Sequence, residues 1–565
     1  VTVADGGSAK RGLRLGLPLL LFLLLKAILF AGLALNSRYV MDEYTQAGYS
    51  LKIPEGFYRG IDPVKTVLYV YVFNLARLLS DNAVDLMCIA RLEGAFLAIV
   101  TAALTFGISR RLGRSVLESL FAVATLVSFS NFMERAFRVR SDTVAVFFVA
   151  LAFFVLAGRA GAGRALAAGL FAGAAFLSTQ KAIYALAAIV VGLLASETTL
   201  SGIRRSAAKL AALCIGVGTA ILSYAIWFGG QEFPRVIRMI IESPLHFAPL
   251  GKNPYYAGLD KFIWQTLQRN IFPYALGVLG LIAVGASWRN RDSGERSAAV
   301  TSVIVALLVF HHDQPWPYTF VMVLPFLSIW SIEALRFVAN RASVSTGSLM
   351  AVALTLLATS LPRNLQYFRI DNRAQNEVTA VAESMLGPGD RYFDAVGMVP
   401  TRHMSAFVSW EAMILARVCR NAARGDVREI DEVFAGRPKL WILNYRVYGA
   451  REALRPFLDR SYVRVSRNIL LSGVALPGSE EVLFLNRWPG PYRLWERDGR
   501  PAAATFTLNE REASGIVHLE AGPYRMARMR TADTRPLWLL PADVTPPAPL
   551  PPAELPYDLF AAVYD

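Results

Sequence analysis

The chain of 565 residues is 54% hydrophobic and only 18% charged, with a mean hydropathy of +0.39; soluble globular chains carry about 25% charged residues, which argues against a protein soluble throughout. Lys and Arg outnumber Asp and Glu by 58 to 43, a net charge of +15, and such an excess points to nucleic acid or to an anionic membrane surface. The basic residues punctuate apolar runs instead of forming one patch, which disfavours nucleic acid, and three cysteines (Cys88, Cys214 and Cys419) exclude a disulfide scaffold or a cysteine-based zinc module.

Up to about Pro362 apolar runs alternate with short basic clusters, and each run approaches the roughly 20 residues that a spanning helix needs. The runs predict helices over 14–35, 87–109, 115–131, 143–158, 165–179, 182–197, 208–229, 271–287, 298–311, 318–338 and 346–362, about eleven crossings. The first run has a basic start (Lys10, Arg11, Arg14) but is long and lacks a small-x-small cleavage site, so it reads as an uncleaved first helix with a cytoplasmic N-terminus. Every second connection is compact and basic: Arg110, Arg111 and Arg114; Arg159 and Arg164; Arg204, Arg205 and Lys209; Arg289, Arg291 and Arg296; Arg336 and Arg341. By the positive-inside rule these turns are cytoplasmic, and an odd helix count sends the C-terminal part outside.

The other set of connections also carries cations, which topology does not require: Lys52, Arg59 and Lys65 in the first, Arg135, Arg138 and Arg140 in the second, Arg235 and Arg238 later. An anionic ligand at the outer surface, such as a lipid phosphate, would account for them. The first loop opens with Asp42 and Glu43, an acidic pair at a membrane boundary that is either a solvated helix end or a catalytic carboxylate. The turn-rich stretch from Gly56 to Lys65 follows, with Tyr58 and Arg59, and then an amphipathic segment 66–79 suited to lying in the interface. In the second loop Asp142 opens the next helix, where it complements the helix dipole, and an extended backbone there would put Arg138 and Arg140 on one side, matching phosphate geometry. Lys181, between two apolar runs, either snorkels or marks a functional site. The 233–264 connection, rich in aromatic residues, is a candidate lid. His311-His312-Asp313 invites a metal reading, but adjacent side chains on a helix diverge by about 100°, so His312 reads better as polar lining of an outer cavity.

Beyond residue 362 apolar runs shorten and turn residues recur, predicting a water-soluble domain over 363–565. Strands are expected at 391–396, 439–444 and 462–465 and helices at 409–421 and 451–459, giving an α/β part over 363–475; the short alternating segments 482–485, 504–508 and 516–519 give a β-rich part over 476–565. The Pro-rich 541–556 stretch reads as an extended strap.

Taken in order, these features resemble the integral-membrane glycosyltransferases of the GT-C class, in the aminoarabinose-transferase and protein O-mannosyltransferase-like branch. The resemblance is carried by Asp42-Glu43 after the first helix, Lys65 before an interfacial helix, and Arg138 to Asp142 opening a helix. The small-residue run Gly169–Lys181 and the Tyr318–Pro325 stretch complete it. It covers roughly 14–362 well and the C-terminal domain in outline. The Lys-Pro-Pro-Leu element is Lys65-Thr66-Val67-Leu68 here, and Pro317-Tyr318 replaces the usual Arg-Tyr. The resemblance implies an all-α membrane module followed by a periplasmic α/β domain with a β-rich end. It also implies an enzyme of the bacterial inner membrane that transfers a sugar, with inversion, from a polyprenyl-phosphate donor to an envelope lipid, glycan or protein. Asp42 would be the base, supported by Glu43 or Asp142. Lys65, Arg59, Arg138, Arg140 and Tyr318 would hold the donor phosphate, and Tyr58, Lys181 and His312 would line the cavity. No metal ligand set is indicated, although a divalent ion remains compatible. A transporter or flippase of a lipid-linked sugar is the alternative, against which stand the absence of a visible repeat and the one-sided placement of polar residues; a non-catalytic scaffold would leave the acidic pair and outer cations without a role.

Overall fold

The computed structural model describes residues 6–52, 68–158, 160–195, 200–247, 258–406, 412–477, 480–496, 498–529, 536–546 and 558–560. The chain forms two compact units, one of Val1–Ser37, Lys52–Ala76 and Cys88–Asp371, the other of Arg38–Leu51, Arg77–Met87 and Asn372–Asp565.

The first unit is helical. In chain order the helices begin with α1 (Gly6–Asn36), the short α2 (Met41–Gly48) of the second unit, α3 (Leu68–Leu79) and α4 (Ala83–Arg111), whose residues 77–79 and 83–87 also fall in the second unit, then α5 (Val116–Leu126), α6 (Ser130–Arg135), α7 (Ser141–Leu156), α8 (Ala162–Ser178) and α9 (Ile183–Ala195). Then come α10 (Leu200–Gly229), α11 (Phe233–Phe247), α12 (Lys261–Arg269), α13 (Ile271–Ala286), α14 (Ser293–Phe310), α15 (Leu324–Ser328), α16 (Ser331–Ala342), α17 (Thr346–Ala358) and α18 (Ser360–Gln366). Among the described residues five helices are long and apolar enough to cross a membrane, and seven if two bent pairs each count as one span. The pairs are α12 with α13, bent by 87°, and the Thr319–Ser328 segment with α16, bent by 43°. The expected helix over 318–338 is therefore broken. Helices α5, α7, α8 and α9 are apolar but shorter than a full span, so the structure supports a multi-pass membrane protein without fixing a count of eleven. The 233–264 connection is helical at both ends, in α11 and α12, and its middle lies outside the described residues.

Local chemistry explains several boundaries. Ser115 caps α5 through a reciprocal pair, its Oγ accepting from Glu118 N at 3.3 Å while Glu118 accepts from Ser115 N at 2.8 Å. Helices without water between them need small residues to approach closely. A Cβ at Gly169 on α8 would lie 2.2 Å from Leu213 O, and one at Gly216 on α10 would lie 2.2 Å from Leu166 O. The long α8–α10 seam thus depends on both glycines.

At one end of the helical unit a closed ion network ties four elements. Glu333, 3% exposed, meets Arg291 at 2.5 Å, Arg336 at 2.9 Å and Arg114 at 3.2 Å. Glu295 accepts from Arg114 at 2.7 Å and from Arg291 at 3.3 Å, and Glu118 from Arg336 at 2.5 Å. These arginines come from the basic turns that set the expected topology.

The second unit has an α/β part with strands β1 (Arg391–Phe393), β2 (His403–Met404), β3 (Leu440–Ile442), β4 (Tyr462–Arg464) and β5 (Ile469–Ser472), in the order β2-β1-β3-β5-β4. β1 runs parallel to β2 and β3, whereas β5 is antiparallel to β3 and β4. Phe393, Trp441, Phe434 and Leu454 form its core. The strand expected over 391–396 ends at Phe393, because the chain turns sharply after Asp394 with Ala395 at φ 62° and Gly397 at φ 94°. Eight further strands follow: β6 (Val474–Leu476), β7 (Val482–Asn486), β8 (Gly490–Trp495), β9 (Phe506–Leu508), β10 (Arg511–Ala513), β11 (Ile516–Leu519), β12 (Gly522–Arg528) and β13 (Leu537–Pro541). They make two four-stranded sheets, β10-β9-β12-β7 and β11-β8-β13-β6. Phe484, Phe506 and Met526 of one pack with Tyr492, Leu519 and Leu539 of the other, as in a sandwich. Lys439, 1% exposed, joins the α/β part to this sandwich by bonding Asp390 and Asp543 at 2.7 Å each. Most of the expected Pro-rich strap lies outside the described residues.

Breaking a buried ion pair costs about 3–5 kcal/mol, whereas an exposed pair contributes about 0–1. Glu333→Gln, which removes the buried carboxylate that three guanidiniums share, should therefore lower thermal stability in detergent far more than Arg336→Gln, whose side chain is 36% exposed. Equal losses would show that the network does not centre on Glu333.

Candidate active site

The first turn of α7 gathers a second charge cluster in the helical unit. Arg140 is the residue before that helix, in an extended conformation at φ −143° that turns its side chain back past the helix start. Asp142, 5% exposed, lies in the first turn, where the helix dipole favours a carboxylate. Arg140 Nη2 lies 3.3 Å from Asp142 Oδ2, and Lys181 Nζ lies 3.6 Å from Asp142 Oδ1. Lys181 sits in the single 3-10 turn Gln180–Ala182, a break between the ends of α8 and α9. Both cations cover one ring: the Arg140 guanidinium is 3.5 Å from the Tyr318 centroid and Lys181 Nζ 4.5 Å. A cation over an aromatic face gains about 0.5–2 kcal/mol. Asp142 thus orders both cations over the Tyr318 ring.

Tyr318 is itself held from below. Its ring stacks on Trp316 with an interplanar angle of 11°, and Trp316 packs on Phe262 with centroids 5.5 Å apart. Asn131 Nδ2 donates to Pro317 O at 2.8 Å, while Asn131 Oδ1 accepts from Thr266 Oγ1 at 2.7 Å and from Asn270 Nδ2 at 3.2 Å. This buried amide knot, which fixes the backbone just before Tyr318, has no signature in sequence, since isolated Asn and Thr in apolar runs look like any other polar interruption.

His312 follows α14, and Lys181 and Asp142 act on it electrostatically. Its Nδ1 lies 3.1 Å from the Tyr184 hydroxyl, and its Nε2 is buried. Burial, with Lys181 beside it, pushes the imidazole down to about 4 against the pull of Asp313 and Asp142. Tyr184 was not foreseen, although it stands one helical turn after Lys181, a spacing that shares a face.

Arg138 behaves differently from Arg140. The 136–140 segment is a series of turns and bends, not an extended strand. Arg138 Nε donates to Glu134 O at 3.0 Å and its guanidinium lies over Phe137 at 5.2 Å. The Arg138 carbonyl accepts from Thr143 Oγ1 at 2.8 Å. Helix α4 presses on this loop at Gly94, where a Cβ would meet Phe137 O at 2.3 Å.

The acidic pair belongs to the second unit and its two members have different surroundings. Glu43 is 0% exposed and accepts from Val40 N at 2.9 Å, half of a capping box whose other half a valine lacks. Asp42, beside it in the first turn of α2, is partly exposed. Tyr58, Arg59 and Lys65 lie outside the described residues. Among the described residues no group of three or more His, Cys, Asp or Glu is placed to hold a metal ion.

No protein-family model and no curated protein matches this sequence. Among solved structures, ArnT from Cupriavidus metallidurans bound to undecaprenyl phosphate is similar, with a TM-score of 0.55 at 13% identity over 80% of this chain and 97% of that one. Its apo state gives a TM-score of 0.53 with the same identity and coverage. At this identity the likeness is one of fold, and the fold is that of the GT-C glycosyltransferases.

A histidine whose folded pKa is depressed contributes stability above its unfolded value, near 6.5, that is lost as pH falls toward about 4. Between pH 7 and pH 4.5 the melting temperature of the protein should therefore fall further than that of His312→Gln. Parallel curves would place the imidazole in a solvated setting.

Proposed function

We propose that this chain is a GT-C glycosyltransferase that moves a sugar from a polyprenyl-phosphate donor to an envelope lipid, glycan or protein, with inversion, at the periplasmic face of a bacterial inner membrane. The observation that carries the reading is the Arg140–Lys181–Tyr318 cluster around Asp142: two cations, a guanidinium and an ammonium, ordered on one ring and one carboxylate. The GT-C fold supports it, as does undecaprenyl phosphate on ArnT, whose fold the chain shares.

In this reaction the bond between the anomeric carbon and the phosphate oxygen breaks, and its electron pair leaves with the lipid phosphate. Cations that meet that growing charge lower the barrier, and no general acid is needed. Arg140 and Lys181 have this role, joined by Arg138 and, on their sequence positions, by Arg59 and Lys65. Asp142 aligns the two cations. The acceptor hydroxyl forms the new bond to the anomeric carbon and gives its proton to a carboxylate. Asp42 is the proposed base, because Glu43 is committed to the start of its own helix. Tyr58 and His312 are assigned to the cavity wall.

Hydrogen bonds to charged groups contribute about 1.5–3 kcal/mol each. Arg140→Gln and Lys181→Gln should each weaken undecaprenyl phosphate binding in nanodiscs by about tenfold or more. Asp42→Asn should leave that affinity intact while lowering transfer from a panel of radiolabelled undecaprenyl-phosphate sugars by about 10²–10⁴-fold, the usual cost of losing a general base. Unchanged binding in both cation variants would remove the cluster from the donor site, and near-wild-type transfer by Asp42→Asn would remove the base.

A further inference from the structure

Within the second unit, the partly exposed Asp42 sits on a helix that is gripped on both sides by one buried assembly. Asp394 follows β1 and is 0% exposed. Its carboxylate accepts three consecutive backbone N–H groups, Val396 at 2.8 Å, Gly397 at 2.6 Å and Met398 at 2.7 Å. That bonding holds the loop in a shape with Ala395 at φ 62°, a left-handed conformation that non-glycine residues rarely adopt. The loop presents the Val396 carbonyl to Thr45 Oγ1 of α2 at 2.6 Å. It also runs so close that a Cβ at Gly397 would lie 3.7 Å from Tyr44 O and 3.8 Å from Thr45 Cα.

Arg446, 5% exposed, completes the grip. Its Nη1 donates to Ala395 O at 2.9 Å, on the same loop, and its Nη2 meets Met41 Sδ at 2.9 Å. Asn444 fixes the base of the arrangement: Nδ2 donates to Asp394 O at 2.8 Å, and Oδ1 accepts from Arg446 N at 3.0 Å. Met41 and Thr45 are four residues apart and so share one face of α2. The α/β part therefore holds α2 one residue before Asp42 and three residues after it. Two buried charged side chains that both bond the backbone of one loop fix its geometry.

We propose that Asp394 and Arg446 are positioning residues which, through the Val396–Thr45 and Arg446–Met41 contacts, hold the first turn of α2 so that the Asp42 carboxylate keeps its orientation. The inference rests on Asp42 being the base. It gives the C-terminal domain a part in the chemistry: its loop after β1 sets the aim of a carboxylate that lies more than 350 residues earlier in the chain, as Thr45 and Val396, 351 apart, already show.

Two readouts on the full chain in nanodiscs test this. The first is turnover of the radiolabelled undecaprenyl-phosphate sugar that the wild type transfers fastest. Thr45→Val and Arg446→Lys should lower kcat by about tenfold or more, with donor KM and undecaprenyl phosphate affinity unchanged, and Thr45→Ser should restore it; a loss of fold would move all three together. The second reads the helix directly. With Cys88, Cys214 and Cys419 replaced by alanine, the thiol of Asp42→Cys should be labelled at least severalfold faster when Thr45→Val or Asp394→Asn is added, and no faster with Thr45→Ser. Unchanged kcat and unchanged labelling in Thr45→Val and Arg446→Lys would overturn the positioning role while leaving Asp42 as base. Full transfer by Asp42→Asn would instead remove the base, and with it the catalytic meaning of the clamp, whatever the labelling shows.

Discussion

A carboxylate that is buried at a helix end between two cations constrains everything around it. Arg140 and Lys181 both reach the Asp142 carboxylate, so removing Asp142 takes from both cations the group that they share, and breaking a buried ion pair costs about 3–5 kcal/mol. The constraint reaches outward through the elements that deliver each partner: the turn before α7 brings Arg140, the break between α8 and α9 brings Lys181, and the segment after α14 brings Tyr318 beneath both. The polar knot of Asn131, Thr266 and Asn270 and the stack of Trp316 on Phe262 exist to keep that last segment in place. What results is an ordered cluster whose cations, under the proposed function, meet the charge that leaves on a phosphate.

The helical unit solves the same electrostatic problem differently at the Glu333 network. There three arginines and three glutamates pair off, so charge is consumed in holding elements together. Around Asp142 one acidic group faces two cations.

Much of this was legible in the sequence, though not its pairings. Apolar runs gave the helical region, and the shorter runs and turn residues that follow gave a C-terminal part that contains β-structure. Asp142, Lys181 and Tyr318 each stood out singly, the first as a helix-start acid, the second as a cation between apolar runs. That they share one ring depends on contacts between α7, the α8–α9 turn and the chain after α14, which local pattern does not encode. Asp42 and Glu43 look alike in sequence, and only the hydrogen bond from Val40 N separates the capping residue from its neighbour. Periodicity carried the 318–338 run through its break after Ser328, because both halves are apolar. The RYFDAV strand was read too long for a similar reason: Asp394 has the composition of a strand end, but its three backbone bonds turn the chain at once.

The central claim, that the Arg140–Lys181–Tyr318 cluster receives a lipid phosphate, is tested most directly by photo-crosslinking. An undecaprenyl phosphate analogue with a photoreactive group beside the phosphate would be irradiated with the full chain in nanodiscs and the adducts mapped by mass spectrometry. The account predicts adducts on the peptides that carry Arg140 to Asp142, Lys181 and Tyr318, suppressed by excess undecaprenyl phosphate. Adducts confined to the peptides around Glu333, or to the sandwich of the second unit, would contradict it.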